Sequence, residues 1–492
     1  MDHIKTVFKH NHHHNSWSQQ TLDSPNTAYL QSYAIVVSTE TNSDDDWKQV
    51  VDVLHEKYPN ATVYLYRNDV TSVKEALQIS MPRYTAFVCK PSECGREFVA
   101  SVHRLTRTLD DEPYIDTMWA IITGSDAKSA LNSIKDDVEQ PFIIRTALNF
   151  TNVDQDLFDM CFTFSDSKYS CWYGKNCCEN GKEEGSEYSK PPALMFSEKL
   201  DAIRPDLLVT GGHGTEHTLE MPWTTGMLYA TDQSLLLLDT EGNAVASPIE
   251  TSPNPKVFLP IANCLIGHCV GENCMVTLFM GKLGVKQLCG YTVNTWFGRA
   301  GWGTLDLWKS IPGQLALSQA YFLNQVRMTY DLKSINSHLL KFKFDVTKND
   351  PSYESVGEQI NNCFKLSDNI DAETREKIYG LCYDRDTTVL YGDPAFDARF
   401  DKTKCDPILS TKFIRTSVNT HSFIITFTDT ESISKLYLPV GVMFTSRIAN
   451  YNIISGIDHE PILSDNFIMV LKPRPKEGST TVVIDFRGTV LP

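Results

Sequence analysis

A histidine and a cysteine in the middle of the chain each follow a short apolar segment. His213 ends the stretch that begins at Asp206, and Gly214 follows it. Cys264 ends the stretch that begins at Val257. Apolar segments bounded by turn residues are typical of buried parallel strands, and open α/β sheets bind ligands just beyond the carboxyl ends of such strands. If the two strands are neighbours, the imidazole and the thiol face each other at the carboxyl ends of these strands.

A thiol beside an imidazole is suited to nucleophilic catalysis. A free thiol has a pKa of about 8.5 and is mostly protonated at neutral pH, so it needs a base. An imidazole, with an unperturbed pKa of about 6.5, can accept that proton and later pass it to a leaving amine. We therefore predict Cys264 as the nucleophile and His213 as the general base. The backbone N–H groups of Gly214 and Cys264 form the predicted oxyanion hole, in which the loss of one donor typically costs ~2.7–4 kcal/mol.

The same pattern also has a purely structural explanation. His-Gly is a common dipeptide, and in a chain with 13 cysteines one of them follows a strand easily by chance. On spacing alone, a catalytic pair and two unrelated core residues are both open interpretations. The segments around the pair favour the catalytic one.

Several of these segments match one family in chain order. The strand ending in His-Gly, and the later strand ending in small-x-Cys with Ala262 as the small residue, resemble the caspase-like cysteine peptidases. Among these, the gingipain family is the most similar. The block from His213 to Glu216 and the stretch that ends at Trp296 resemble family segments, as does a later Gly-Asp-Pro sequence. A strand-rich tail follows, where gingipains carry an immunoglobulin-like domain.

The resemblance covers roughly residues 110–492. It implies a cysteine endopeptidase that acts on proteins or peptides through a Cys-His dyad, with a preference for a basic residue at the cleaved bond by analogy with gingipains. It implies four substrate-binding residues, which are Glu216, Ala262, Trp296 and Asp166. Asp166 is the candidate acidic specificity residue. We expect no cofactor, and no metal ion in the candidate active site.

Two other functions are open on the sequence. A caspase-like transpeptidase or ligase forms the same acyl-enzyme but passes it to an amine. A catalytically inactive interaction protein of the same fold acts by binding alone. In either case the β-rich C-terminal region is a candidate surface for a protein partner.

Composition argues against other classes. The 492 residues carry a net charge of −16, whereas nucleic-acid binding needs a basic surface. No apolar run approaches the ~20 residues of a membrane span. The N-terminus lacks the apolar centre of a signal peptide, and the odd cysteine count favours a reducing compartment. We therefore expect a cytoplasmic location, or secretion if a leader is missing, because gingipains are secreted.

The chain divides into four regions. Residues 1–30 are polar and predicted to be mobile. Residues 31–150 alternate strands with helices, which indicates a parallel sheet, and residues 151–405 carry the candidate catalytic pair. Residues 406–492 contain short β-rich segments, which are typical of a β-sandwich. We predict an α/β fold, with a caspase-like three-layer α/β/α sheet in two subdomains, followed by an immunoglobulin-like β-sandwich.

Three finer expectations concern single segments. Residues 31–150 show no catalytic constellation and are expected to be mainly scaffold. Pro260 lies inside the predicted strand before Cys264, and because proline lacks a ladder donor it indicates a bulge, an edge position or a wrong strand assignment. The segment 435–440 is predicted to be a strand of the tail.

Overall fold

The computed structural model of the protein describes residues 22, 26–135, 137–177, 181–347, 352–364, 366 and 370–491. Most of the segment 1–30, predicted to be mobile, lies outside these residues. None of the helices in the described ranges has the length and hydrophobicity that crossing a membrane requires.

The first four hundred or so residues alternate strands with helices. The strands are β1 (Tyr33–Ser38), β2 (Thr62–Tyr66), β3 (Tyr84–Val88), β4 (Met118–Ile122), β5 (Phe142–Ile144), β6 (Thr146–Asn149), β7 (Met160–Phe164), β8 (Trp172–Lys175), β9 (Lys182–Gly185), β10 (Leu207–Gly212), β11 (Thr218–Glu220), β12 (Met227–Ala230), β13 (Leu235–Leu238), β14 (Lys256–Asn263), β15 (Val285–Tyr291), β16 (Thr388–Gly392) and β17 (Ala398–Phe400). The helices are α1 (Thr27–Leu30), α2 (Thr39–Asn42), α3 (Asp45–Lys57), α4 (Lys74–Ser80), α5 (Arg96–Thr106), α6 (Ala127–Ile134), α7 (Pro192–Ile203), α8 (Met275–Gly281), α9 (Arg299–Ser310), α10 (Leu317–Ile335), α11 (Tyr353–Phe364) and α12 (Ala372–Asp384).

One central sheet contains twelve of these strands, in the order β2-β1-β3-β4-β16-β15-β14-β10-β6-β7-β8-β9. Neighbouring strands are parallel except where β16 meets β15 and at the β7-β8-β9 edge. Strands β11, β12 and β13 form a small antiparallel sheet, and β5 pairs with β17. The sheet is therefore mostly parallel, as the strand–helix alternation predicts.

Helices cover both faces of the central sheet. Along β1, Ala34 and Val36 pack in the same core as Val99 of α5, whereas Ile35 packs in a second core with Trp47 of α3. Alternation between two cores is what a strand buried on both faces produces. The predicted three-layer α/β/α arrangement is confirmed.

Pro260 lies at a β-bulge. The parallel register advances by two residues on β10, from Val209 to Gly211, but by three residues on β14, from Leu259 to Ala262. A bulge leaves one residue outside the ladder, and a residue without an N–H is tolerated there. Of the three explanations for this proline, the bulge is the one that the structure shows, and β14 is a central strand.

The C-terminal region contains two antiparallel sheets. Its elements are β18 (Leu409–Ser417), β19 (Thr420–Phe427), α13 (Thr430–Lys435), β20 (Val440–Met443), β21 (Ile448–Ser455), β22 (Pro461–Leu463), β23 (Phe467–Val470) and β24 (Thr481–Val490). One sheet has the order β18-β19-β24-β21 and the other β20-β23-β22. Phe423 and Ile484 of the first sheet share one buried core with Ile468 of the second. The predicted β-sandwich is confirmed.

The smaller sheet of the sandwich also packs against the α/β part. Phe467 and Met469, which alternate with Ile468 along β23, belong to the main core. The Phe467 ring contacts the rings of Phe322 in α10 and Tyr114, with centroids 5.8 Å apart in each case. The second sheet is therefore buried on both faces and attaches the sandwich to the rest of the molecule.

The prediction of a strand at 435–440 is wrong. Helix α13 occupies the start of this segment, and its N-terminus is capped by Asp429, which accepts the Ser432 N–H at 2.7 Å. Strand β20 begins only at Val440. Pro439, just before it, cannot donate a ladder bond. The apolar residues of the segment therefore carry β-propensity without pairing.

Candidate active site

Strands β10 and β14 are direct neighbours and run parallel. Their last paired residues are Gly212 and Asn263. His213 and Cys264 are the next residues after these two, so their backbones leave the sheet side by side at the carboxyl ends of the two strands. His213 is exposed and Cys264 is partly buried.

The backbone turns out of each strand next to the reactive residue. Gly212, just before His213, has a φ of +115°. Leu265, just after Cys264, has a φ of +62°. This left-handed conformation costs a non-glycine residue roughly 1–2 kcal/mol. The Leu265 N–H donates to the Val293 carbonyl at 3.1 Å, which helps to hold this turn.

Asn263 ties the two strand ends together. It is fully buried, and its Oδ1 accepts a hydrogen bond from the Thr210 hydroxyl at 2.7 Å. Its Nδ2 donates to the carbonyl oxygens of Gly212 at 3.1 Å and His213 at 3.3 Å. The residue before the candidate nucleophile thus positions the backbone that carries the candidate base.

The next strand contributes a donor to the sulfur. The backbone N–H of Thr295, in the loop after β15, donates to Cys264 Sγ at 3.2 Å. The Thr295 hydroxyl donates to the Asn263 carbonyl at 3.1 Å, which fixes this loop against the end of β14. This backbone donor holds the sulfur at the end of β14. Trp296, the next residue, is 43% exposed beside the sulfur-binding N–H.

Gly214 lies against the backbone of the candidate nucleophile. A Cβ added at Gly214 would lie 3.1 Å from the Cys264 carbonyl oxygen and 3.1 Å from the Ile266 side chain. The chain then folds back as a bridge between Gly214 and Leu219. The bonds of this bridge are donated by Glu220 to the His213 carbonyl and by Thr215 to the Thr218 carbonyl. The bridge therefore leaves the N–H of Gly214 unused.

Glu216 is held in an ion-pair network. Its Oε1 lies 2.8 Å from Nδ1 of His268 and 3.7 Å from Nη2 of Arg96. Arg96 Nη2 also lies 2.9 Å from His268 Nδ1. Burial alone would raise the pKa of Glu216, but the hydrogen bond with His268 and the charge of Arg96 outweigh it, so the pKa is lowered. The network indicates that Glu216 orients the loops around the candidate pair. The Glu216 carboxylate already interacts with His268 and Arg96.

Arg96 changes the interpretation of the N-terminal part. It is the first residue of α5, within residues 31–150, and it reaches the loop that follows Cys264. This part of the chain therefore does more than provide a scaffold, because it contributes a charged side chain to the support of the site.

Asp166 lies at the same edge of the sheet, farther from Cys264. It follows β7, which is parallel to β6, and β6 is parallel to β10. Asp166 is exposed, and its Oδ2 accepts a hydrogen bond from the Thr151 hydroxyl at 2.7 Å. Ala262, by contrast, is part of β14 and pairs with Gly211. The carboxyl ends of these parallel strands therefore present a thiol after β14, an imidazole after its neighbour β10 and, two strands farther along the sheet, a carboxylate after β7.

Three supporting residues were not singled out from the sequence. These are Asn263, Thr295 and Arg96. Asn263 directly precedes Cys264, and Thr295 directly precedes Trp296. Their position next to a predicted site residue was therefore the signal that could have identified them. Arg96 is 172 positions from His268, and no local pattern relates the two.

The fold and the site together define an α/β protein with a cysteine and a histidine at the ends of neighbouring parallel strands. No protein-family model matches the sequence, and no curated protein matches it. Among solved structures, the chain is similar to the Arg-specific cysteine proteinase gingipain R, with a TM-score of 0.40 and 10% identity over 94% of this chain and 99% of that one. A likeness of this size does not assign an activity to this chain.

Proposed function

We propose that this protein is a gingipain-like cysteine endopeptidase with Cys264 as the nucleophile and His213 as the general base. The observation that carries the proposal is the parallel pairing of Gly212 with Asn263, which ends both strands one residue before the reactive side chains. The Thr295 N–H on Sγ supports it, because this donor fixes the position of the sulfur at the end of the strand.

In the proposed reaction, His213 takes the proton from the thiol, and the sulfur of Cys264 attacks the carbonyl carbon of the scissile peptide bond. The N–H groups of Gly214 and Cys264 donate to the oxyanion, consistent with the unused N–H of Gly214. His213 returns the proton to the leaving amine. Water then hydrolyses the thioester and regenerates the thiol.

A basic residue is the proposed preference at the cleaved bond. Asp166 supports this as an exposed carboxylate at the edge that carries the reactive pair. The exposed face of Trp296 supports it as a surface for the aliphatic stem and charge of a lysine or arginine, where a cation–π contact adds ~0.5–2 kcal/mol. The proposal predicts that Asp166→Asn lowers kcat/KM for basic substrates relative to neutral ones.

The test is a peptide-library cleavage profile of the wild-type protein and of Cys264→Ala. We expect the variant to lose at least ~10³-fold in kcat/KM with unchanged thermal unfolding. Cys363→Ala, which removes an exposed cysteine outside the site, is the matched control and should retain full activity. Activity in Cys264→Ala equal to the wild type would show that the nucleophile is elsewhere.

The same assay separates the alternative functions. Mass spectrometry of the products formed with an added amine nucleophile distinguishes a transpeptidase from a hydrolase. A peptidyl electrophile that fails to label Cys264 in the folded wild-type protein would favour an inactive interaction protein.

A further inference from the structure

Two large aromatic side chains near the candidate site are exposed and contact each other. Tyr169 is 65% exposed and Trp223 is 53% exposed. Their ring centroids are 6.2 Å apart with the ring planes at 88°, which is the edge-to-face arrangement that aromatic pairs favour. Single exposed apolar residues are ordinary on a protein surface. A contacting pair from two separate loops instead forms a continuous apolar surface.

The turn between β11 and β12 keeps Trp223 at the surface. The Met221 N–H closes the turn by donating to the Gly226 carbonyl at 2.9 Å, and the Thr225 hydroxyl donates to the Pro222 carbonyl at 2.8 Å. Trp223 has a φ of +60°, a left-handed conformation that is unfavourable for a residue with a Cβ. Such conformations persist where the surrounding structure enforces them, and they cluster at ligand-binding positions. The turn therefore holds the indole in place without a ligand.

The loop between β7 and β8 holds Tyr169 in a similar way. Ser165 is fully buried at the start of this loop, and its hydroxyl accepts the Lys168 N–H at 3.1 Å. The Ser165 N–H donates to the Cys171 carbonyl at 2.9 Å, which closes the loop. Ser170, next to Tyr169, has a φ of +56°. Because both loops are held by their own hydrogen bonds, a ligand that binds the two rings pays little to order them.

Both loops are connected to residues of the candidate site. Tyr169 lies three residues after Asp166 in the same loop. Trp223 lies three residues after Glu220, whose N–H donates to the His213 carbonyl at 3.1 Å. The contact between the two rings therefore joins the loop of the candidate specificity residue to the segment that bonds the backbone of the candidate base.

The aromatic pair lies on the side of the site from which the leaving amine departs in the proposed reaction. In the central sheet, β10 flanks β14 on one side, and β15, which precedes Trp296, flanks it on the other. The pair belongs to the β10 side, as does His213, which returns the proton to the leaving amine. The part of a substrate that follows the cleaved bond therefore extends toward Tyr169 and Trp223.

We propose that Tyr169 and Trp223 form a subsite for an aromatic or large aliphatic side chain of the substrate, within the two residues that follow the cleaved bond. This inference rests on the proposed peptidase function and adds a second determinant of specificity to the basic preference attributed to Asp166. An apolar occupant fits better than a second basic one, because the exposed Lys168 directly precedes Tyr169 and repels a cation. The two rings offer such a side chain apolar contact area that is already exposed.

The test compares peptides that share the residues up to the cleaved bond, chosen from the library profile, and that carry Phe or Gly at each of the two positions after it. We expect the wild-type protein to cleave the best Phe peptide with a kcat/KM at least about 10-fold above that of the matched Gly peptide. Trp223→Ala and Tyr169→Ala should each reduce this ratio toward 1. Tyr169→Phe keeps the ring and should keep the ratio. A general loss of folded protein lowers the rates of both peptides equally, so the ratio reports on the subsite alone.

Tyr437→Ala is the matched control, because it removes an aromatic ring that is 77% exposed in the C-terminal region. It should keep both the ratio and the absolute kcat/KM. A wild-type ratio near 1, a ratio retained in either alanine variant, or a preference for a basic residue over Phe at these positions overturns the inference while the proposed function stands. If the wild-type protein cleaves no peptide, the proposed function fails and this inference fails with it.

Discussion

The side-chain amide of Asn263 donates to the carbonyl oxygen of His213 at 3.3 Å, and so the residue next to the candidate nucleophile positions the backbone of the candidate base. The two reactive residues are far apart in sequence, and this bond relates their backbones directly. The amide has its other contacts with Thr210 and Gly212, so its orientation is determined from three sides. The site is therefore sensitive to a residue that does not itself react.

We expect Asn263→Ala to lower kcat by about 10- to 100-fold with a small change in KM, because the base shifts relative to the sulfur. It should also destabilise the fold by ~1–3 kcal/mol through the buried groups left unpaired. Asn149→Ala is the control, since Asn149 is equally buried but makes only one long bond, to Thr163 at 3.5 Å. Equal losses of kcat in the two variants would mean that Asn263 acts through stability alone.

The ion-pair network of Glu216 should be energetically coupled. We expect Glu216→Gln and Arg96→Gln each to reduce kcat/KM by about 10-fold, and the double variant to lose little more. A double-mutant cycle in the unfolding free energy should give a coupling of roughly 0.5–3 kcal/mol. The exposed pair Lys190–Glu198 is the comparison, with a coupling near zero. Additive losses in the Glu216 cycle would contradict the network.

Gly214→Ala should impair activity more than stability. The added methyl would lie 3.1 Å from the Cys264 carbonyl oxygen, so either the loop or the end of β14 must move. Because the displaced N–H is the proposed oxyanion donor, we expect kcat to fall by about 10²-fold or more. In Gly95→Ala the same methyl meets nothing closer than 3.9 Å, and that variant should retain activity. Full activity in Gly214→Ala would remove this N–H from the mechanism.

Asp384 should make stability depend on pH. Burial raises its pKa to about 6, against the hydrogen bonds that it accepts from Ala300 and Tyr291. Between about pH 4 and 6 the folded state binds a proton that the unfolded state does not, so the contribution of this group to stability falls as pH rises through that window. Above about pH 6, the free energy of unfolding is lower by ~3 kcal/mol than it would be if the pKa of this group were unshifted.

Asp384→Asn removes that titration. Its stability relative to the wild type should therefore improve as the pH rises from about 4 to 7, as measured by urea unfolding at several pH values. Curves for the two proteins that stay parallel across this range would show that the fold does not raise the pKa of this carboxyl.

Part of this architecture follows from local sequence pattern. The apolar stretch after Asp206 predicts β10, and the one at Val257 predicts β14, since buried parallel strands need continuous apolar residues. Pro260 signals an irregularity, and the structure shows it to be a bulge. The support of the site could not be predicted in the same way. The bond from Asn263 depends on register between strands, and the contact of Arg96 depends on how the two halves of the sheet are assembled.

The position of β16 has a consequence for synthesis of the protein. This strand lies between β4 and β15 and is the link through which the two halves of the central sheet hydrogen-bond. It is encoded after every other strand of that sheet, at Thr388–Gly392. A nascent chain therefore has no continuous sheet until this segment has left the ribosome, and chains arrested before it should show two separately protease-resistant fragments.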